Sequence, residues 1–291
     1  MSAMEYSKIL DNKTRITSTT LNQKSYTETT GNLSIRFVFS GNETYTIGRR
    51  QLSIHSDSFL ILNKGTQFTS NIDPRLPVNV FSIEFDDDFL KDFNKKQFTS
   101  NMLMNGSDNS LYSAYNLRET IYPFSGDIKL NICRLKKYLD NGSEDDKLIR
   151  ECLRRCLLNF YRVYNEEIFQ KATKLNFLNN STSIEILRRL NLAKEYLYAN
   201  YNKSVNLANL ANYACLSVNH LLRTFKLAYN QSPHQFLIQL RLQRAQLLLA
   251  KTEYPINEIV NMVGFKCTSS FIRLFKSRYK TTPLKYRNVI S

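Results

Sequence analysis

Histidine is scarce in this chain, with His55, His220 and His234 the only three in 291 residues. A lone histidine such as His55, on a strand pattern, is expected to be structural. Cysteine is almost as sparse. Cys133, Cys152, Cys156, Cys215 and Cys267 include no C-x-x-C pair, and their odd number suits free thiols. Cys152 and Cys156 would share a helix face, but no histidine lies near them in sequence, so neither a metal nor another cofactor is expected. Long apolar runs are missing too. Phe59–Leu62 and Leu247–Ala250 fall far short of the roughly 20 residues that span a bilayer. Residues 1–30 are polar and carry no apolar segment of the kind that marks a secretory signal. A cytoplasmic protein with no membrane partner is the expectation.

Acidic residues are also rare in one part of the chain. Residues 183–291 hold 16 Lys and Arg but only 4 Asp and Glu, a net charge of +12. Residues 1–182 hold 24 and 21, a net of +3. The basic excess therefore sits almost wholly in the C-terminal third. Such an asymmetry points to a polyanionic partner, nucleic acid first, over a merely solvated basic surface. The length suits about two domains, and a hydrophobic content of 42% supports packed cores.

What is present falls into three stretches. Residues 31–85 alternate as strands do: Ile35, Phe37 and Phe39, then Leu52 and Ile54, then Val78, Val80, Ile83 and Phe85. Gly31, Gly41, Gly48, Gly65 and Pro74 separate them, which suggests a small antiparallel sandwich or barrel. Asp86-Asp87-Asp88 fits an exposed acidic turn better than a metal cluster. From Asp127 the period becomes helical. Lys129–Leu139 is one helix, and Ser143 or Glu144 opens a longer one to about Gln170. Its apolar stripe of Leu148, Cys152, Cys156, Phe160 and Tyr164 suits packing on the strand domain, a dimer seam, or both. Residues 173–182 read as a linker, with Ser183 as the cap of the next helix. The domains expected are thus a strand domain at 1–128, packing or dimerisation helices and a linker at 129–182, and a basic helical domain at 183–291.

That last domain contains a duplication. Arg223–Phe236 reads R-T-F-K-L-A-Y-N-Q-S-P-H-Q-F, and fifty positions later Arg273–Tyr286 reads R-L-F-K-S-R-Y-K-T-T-P-L-K-Y. Two copies are too few for a solenoid. In the first copy, Leu207, Leu210 and Ala211 mark a short helix, Tyr213–Leu216 a turn, and Ser217 the N-cap of a second helix. Leu221 and Phe225 face its inside; Asn219, Leu222, Arg223 and Lys226 face out. In the second, Ile256, Ile259 and Val260 precede a turn at Val263-Gly264-Phe265, and the connection to the next helix is one residue longer than in the first copy. Phe271 and Phe275 then face in, while Thr268, Ser269, Ile272 and Arg273 face out. Helix, short turn, helix is the arrangement whose second helix enters the DNA major groove. Ser232-Pro233 opens a helix of some eighteen residues between the copies. It would span roughly 27 Å, against about 34 Å between successive major grooves.

Residues 205–287 resemble the DNA-binding domain of the AraC/XylS family of transcription regulators. The resemblance rests on L-A-N-Y-A-C-L-S, L-x-R-x-F-K, S-P-x-x-F, R-L-x-x-A-x-x-L-L, I-x-x-I-V with G-F, F-I-R-L-F-K and T-P-x-x-Y-R. It implies seven helices with two helix-turn-helix units. It also implies base-facing roles for Asn219, Leu222, Arg223, Thr268, Ser269, Ile272 and Arg273. Two departures stand out. Asn230 and Lys280 occupy places where the family usually has glycine, and the outward residues of the second unit are mostly small. The strand region resembles the family's cupin-like N-terminal domain, which implies an effector pocket there and dimerisation through the helices that follow. It lacks the His-x-His pattern of metal-binding cupins.

The expected fold is therefore α+β: an antiparallel cupin-like domain, then an all-α domain with two helix-turn-helix units. The expected function is sequence-specific regulation of transcription, not catalysis. Arg223 and Arg273 would contact bases or phosphates, unless salt bridges to nearby carboxylates hold them; Lys226, Lys276 and Arg278 would contact phosphates. Double-stranded DNA, a second copy of the chain, RNA polymerase and a small-molecule effector are the expected partners. Two rivals remain at this point. One is a non-specific nucleic-acid-binding protein, which would not need two spaced reading helices. The other is a cupin-type enzyme with a helical appendage, which would need a metal triad or an acid–base pair.

Overall fold

The structure, a computed structural model, describes residues 6–10, 13–21, 25–72, 77–102 and 117–290. Pro74, read above as a turn signal, lies outside them. The chain divides into two compact units, Met1–Phe169 and Gln170–Ser291.

Among the described residues, ten strands build the first unit. Strands β1 (Tyr6–Leu10), β2 (Thr14–Leu21), β9 (Val78–Phe85), β4 (Leu33–Ser40), β7 (Ser58–Leu62) and β10 (Ile121–Pro123) form one antiparallel sheet in that order. A second sheet runs β3 (Ser25–Thr29), β8 (Gln67–Ile72), β5 (Asn42–Ile47), β6 (Arg50–His55). Strands β1 to β3 lie ahead of the region where the sequence suggested strands. In β2 the buried positions are Thr14, Ile16 and Ser18, so its inward face is two-thirds hydroxyl and gives little hydrophobic signal.

Alternation along β4 explains the layering. Leu33, Ile35 and Phe37 join a core with helices α2 (Gly126–Asp140) and α3 (Asp146–Tyr164) through Ile128, Ile132, Leu153 and Phe160. Arg36 points the other way and is 5% exposed. It donates to the Tyr26 hydroxyl at 3.2 Å and to Glu28 at 3.1 Å. The fully buried Glu43 accepts from Tyr26 at 3.1 Å and also from Tyr45 and Ser70. Burial and the Glu43 charge push the Tyr45 hydroxyl far above its ordinary range. Burial opposes the charge on Arg36, but Tyr45, Tyr26, Glu28 and Glu43 outweigh it and hold the cation firmly protonated. A buried charge paired and hydrogen-bonded in this way is tolerated where a lone one would not be.

Several local expectations change. Asp86 is buried and accepts from the backbone N–H groups of Asp88 at 2.9 Å and Phe89 at 3.1 Å, at the start of helix α1 (Asp87–Met102). The acidic triplet is therefore a helix start and not simply an exposed turn, with Asp87 paired to Lys64 and Asp88 to Lys13. Helix α3 is capped by Asp145, one or two residues later than expected, and ends in a π-helical turn over Asn165–Gln170. In its apolar stripe, Cys156 and Phe160 are core while Leu148 is 37% exposed. Burial pushes the Cys156 thiol up, so it is inert as a nucleophile.

In the second unit the expected linker differs most. Residues Lys171–Lys174 form α4, and Ala172 and Leu175 belong to the core of this unit. Helix α5 runs Asn180–Ala199, capped by the Asn179 side chain, and Ser183 is buried inside it instead of capping it. Helices α6 (Leu207–Tyr213), α7 (Val218–Tyr229), α8 (Pro233–Lys251), α9 (Ile256–Met262), α10 (Thr268–Tyr279) and α11 (Pro283–Ile290) follow. Leu237 of α8 joins the core of α4 to α7, while Leu242, Ala245 and Leu249 join a second core with α9 and α10. One rigid helix thus carries both helix-turn-helix units.

Candidate nucleic-acid interface

Each unit starts from the repeated residues. Phe225, Tyr229 and Phe236 form a ring triad with centroid separations of 4.5, 5.7 and 6.0 Å. Their counterparts Phe275, Tyr279 and Tyr286 form the same triad at 4.6, 5.7 and 6.1 Å. The aromatic positions of the duplication are the clamp that holds the second helix against the element after it. The Ser/Thr-Pro pair starts that element. Ser232 and Gln235 make a reciprocal capping box at α8, and Thr282 accepts from the Lys285 N–H at α11.

On α7 the Ser217 hydroxyl accepts from the His220 N–H at 3.3 Å, as its sequence position suggested. Leu221, Thr224, Phe225 and Ala228 are buried, and the Thr224 hydroxyl donates to the His220 carbonyl at 2.6 Å. Asn219, Arg223 and Lys226 are exposed, with Leu222 half-buried beside them. Spacings of three and four put these four on one face. On α10, Phe271 and Phe275 are buried. Ser269, Ile272, Arg273 and Lys276 share the exposed face, with Thr268 half-buried at its start. Arg278 is exposed too, but five residues past Arg273 it lies off that face, to one flank.

Arg223, Lys226, Arg273, Lys276 and Arg278 make no ion pair among the described residues. On α5 the acidic side chain of Glu185 is already taken. Glu185 bonds Arg188 at 2.7 Å and Arg189 at 2.9 Å, and those hydrogen bonds hold its carboxyl down at about 2. Both reading helices end in left-handed residues, Asn230 at φ 57° and Lys280 at φ 61°. Asn adopts this conformation readily and Lys does not. Gly264, at φ 84°, sits where an added Cβ would come within 2.7 Å of the Asn202 carbonyl oxygen. No sequence pattern signals that approach, because the partners are sixty residues apart. Among the described residues no group of three or more His, Cys, Asp and Glu is placed to hold a metal, and no helix is long and apolar enough to cross a membrane.

Comparison with known proteins agrees with this geometry. Residues 210–288 match a family described as a helix-turn-helix domain. The raffinose operon transcriptional regulatory protein RafR of Pediococcus pentosaceus is 29% identical over 168 residues, 57% of each chain. The HTH-type transcriptional regulator MtrA of Neisseria gonorrhoeae is 37% identical over 82 residues, 28% of this chain and 27% of that one. Among solved structures, the C-terminal domain of the response regulator yesN from Fusobacterium nucleatum is 33% identical. The match covers 33% of this chain and 94% of that one, with a TM-score of 0.32. The chain spans about half the length, or less, of the curated relatives it matches. The second unit is thus a helix-turn-helix domain of the double, linked kind. The resemblance to the AraC/XylS family is carried by that domain, which matches curated transcription regulators along it.

Proposed function

We propose that the protein is a sequence-specific DNA-binding transcription regulator whose helices α7 and α10 read two successive major grooves. The observation that carries this reading is the pair of outward faces, Asn219/Leu222/Arg223 and Thr268/Ser269/Ile272/Arg273, on helices fixed to the two ends of α8. The 19 residues of α8 span about 28 Å at 1.5 Å per residue, which suits grooves about 34 Å apart. Arg223 and Arg273 contact base edges or phosphates, while Lys226, Lys276 and Arg278 hold phosphates. The acid-poor composition of this unit supplies the field that draws it to DNA. The names of the relatives, including the lactose operon transcription activator of Staphylococcus xylosus, support a role at operons.

In the same reading the protein is cytoplasmic and no enzyme, and it works with RNA polymerase. The strand unit receives a small-molecule effector, and two copies associate through the outer faces of α2 and α3. Leu130, Tyr138 and Leu148 are exposed there. Sedimentation of the full chain at tens of micromolar tests the association; a monomer would refute it.

The decisive experiment selects bound duplexes from genomic fragments. Selected duplex should be bound far more tightly than random duplex, and log K should fall with log salt at about −0.9 per phosphate contacted. Equal affinity for both duplexes would leave a non-specific binder, and a flat salt profile would refute DNA binding altogether.

A further inference from the structure

Between the two helix-turn-helix units lies a half-open cleft of about 470 Å³. Lys203, His234, Arg241 and Lys266 line it with Asn202 and Ser204, and no acidic side chain does. Lys203, His234 and Lys266 are exposed. Arg241 is the fixed member. Its Nε donates to the Tyr201 carbonyl and its Nη2 to the Lys203 carbonyl, both at 2.7 Å. Burial draws its guanidinium below the ordinary value, yet an arginine so placed remains charged. Arg241 therefore does two things. It leaves a positive charge at the cleft floor, and it pins the backbone that carries Lys203.

The opposite wall is pinned as closely. Gly264 has no side chain, so the turn before α10 rests directly on the Asn202 backbone. Lys266, the residue just before the Cys267 cap of α10, thus lines the same cleft as Lys203, which lies three residues before the Asn206 cap of α6. In a helix-turn-helix the first helix crosses the sugar-phosphate backbone, and the start of the second enters the groove. The cleft thus joins the start of a backbone-crossing helix in one unit to the start of a reading helix in the other.

We propose that this cleft binds a DNA backbone phosphate between the two major grooves, with Lys203 and Lys266 as its cationic donors and Arg241 as the positioning residue. The proposal rests on the DNA-binding reading above and adds a third contact zone that neither reading helix supplies. It follows that the protein grips the strand where it passes from one groove to the next, which fixes the phase of the two sites relative to each other.

The test compares the full-length protein with the Lys203→Ala/Lys266→Ala double variant on a selected duplex over a salt series. Lys251→Ala, an exposed lysine away from the cleft, is the control. The double variant should show a log K against log salt slope shallower by about 1 to 2, while the control keeps the slope of the unaltered protein. Ethylation of single phosphates between the two sites should weaken binding by the unaltered protein and not by the double variant. Unaltered slope and unaltered ethylation pattern in the double variant would overturn the cleft while leaving the regulator reading intact. An equal change in the Lys251→Ala control would also overturn it, because only net charge would then matter. Failure of the unaltered protein to bind any duplex would overturn both.

Discussion

The two helix-turn-helix units share one clamp and differ in almost everything that finishes it. The ring triads agree to within 0.1 Å in all three separations. The first reading helix, however, begins with a serine that caps it, and the second with Cys267, which makes no side-chain cap. The first ends in Asn230, the second in Lys280, both left-handed. The first is braced by α4 and α5, with Lys171 4.8 Å from the Tyr229 ring centre and Phe177 6.2 Å from that of His220. The second meets the Asn202 backbone through a glycine. We infer that the aromatic clamp sets the geometry of each second helix, that caps and bracing set its stability and, in the proposed function, that the outward residues set what it reads. These three properties are separable, and substitutions should separate them.

The largest effect is expected at the brace. Leu175 is buried in the first core, so Leu175→Ala should cost about 2–5 kcal/mol. Hydrogen exchange should quicken in α7 well before α10; equal quickening would show that the two cores melt as one. By the same argument a fragment beginning at residue 170 should fold better than one beginning at 183, which discards the brace.

Reading comes next. Arg223→Ala should cost about 1–3 kcal/mol on selected duplex and relax one base position, with a smaller loss for Arg273→Ala. Asn219 beside Arg223 offers a bidentate amide, where Ser269 offers one hydroxyl. Equal losses on selected and random duplex for both variants would show phosphate contact only.

The helix ends should differ by less. Lys280→Gly should raise thermal stability by about 0.5–1 kcal/mol by relieving a left-handed lysine, net of the extra freedom glycine gives the unfolded chain. Asn230→Gly should be near neutral. A gain at Asn230 as large as that at Lys280 would break the asymmetry.

The smallest effect belongs to the partly exposed Glu185 pair on α5. Its carboxyl is depressed to about 2 by Arg188 and Arg189, against an ordinary value of about 4.3. The stabilisation is therefore present above about pH 4.3 and lost as pH falls through about 2. Solvent screening keeps it below about 1 kcal/mol. Acid unfolding of Glu185→Gln beside the unaltered protein should show a small deficit at neutral pH that closes below pH 2. A deficit that persisted there would mean a packing effect.

Much of the second unit was legible because its information is local. Ser217, Ser232-Pro233, Gly264 and the paired Phe-Lys segments each announce a cap, a helix start, a turn or a buried face. The brace was not legible, since Leu175 and Phe177 stand among asparagines and threonines and acquire meaning only in the core that holds Leu221 and beside His220. Strands β1 to β3 were hidden for a related reason. Thr14 and Ser18 point inward and pair with Asp86 and Lys136, so burial there follows hydrogen bonding more than apolar pattern. The outward faces at α7 and α10 were readable from spacing, whereas the cleft between the units needs a loop, a helix and a turn from distant parts of the chain.

The long helix α8 has a consequence for how such a protein can drift over generations. Its two ends are sunk in different cores, so it behaves as a toothed shaft. Inserting one residue would turn the second unit by about 100° and advance it 1.5 Å, whereas moving a site along DNA by one base pair turns it by about 34° and advances it about 3.4 Å. The two steps do not mesh. In the proposed function, spacing between the paired sites is therefore locked to the length of α8, and new targets arise by changes of base within that spacing or of side chain on the outward faces, not by sliding the sites apart.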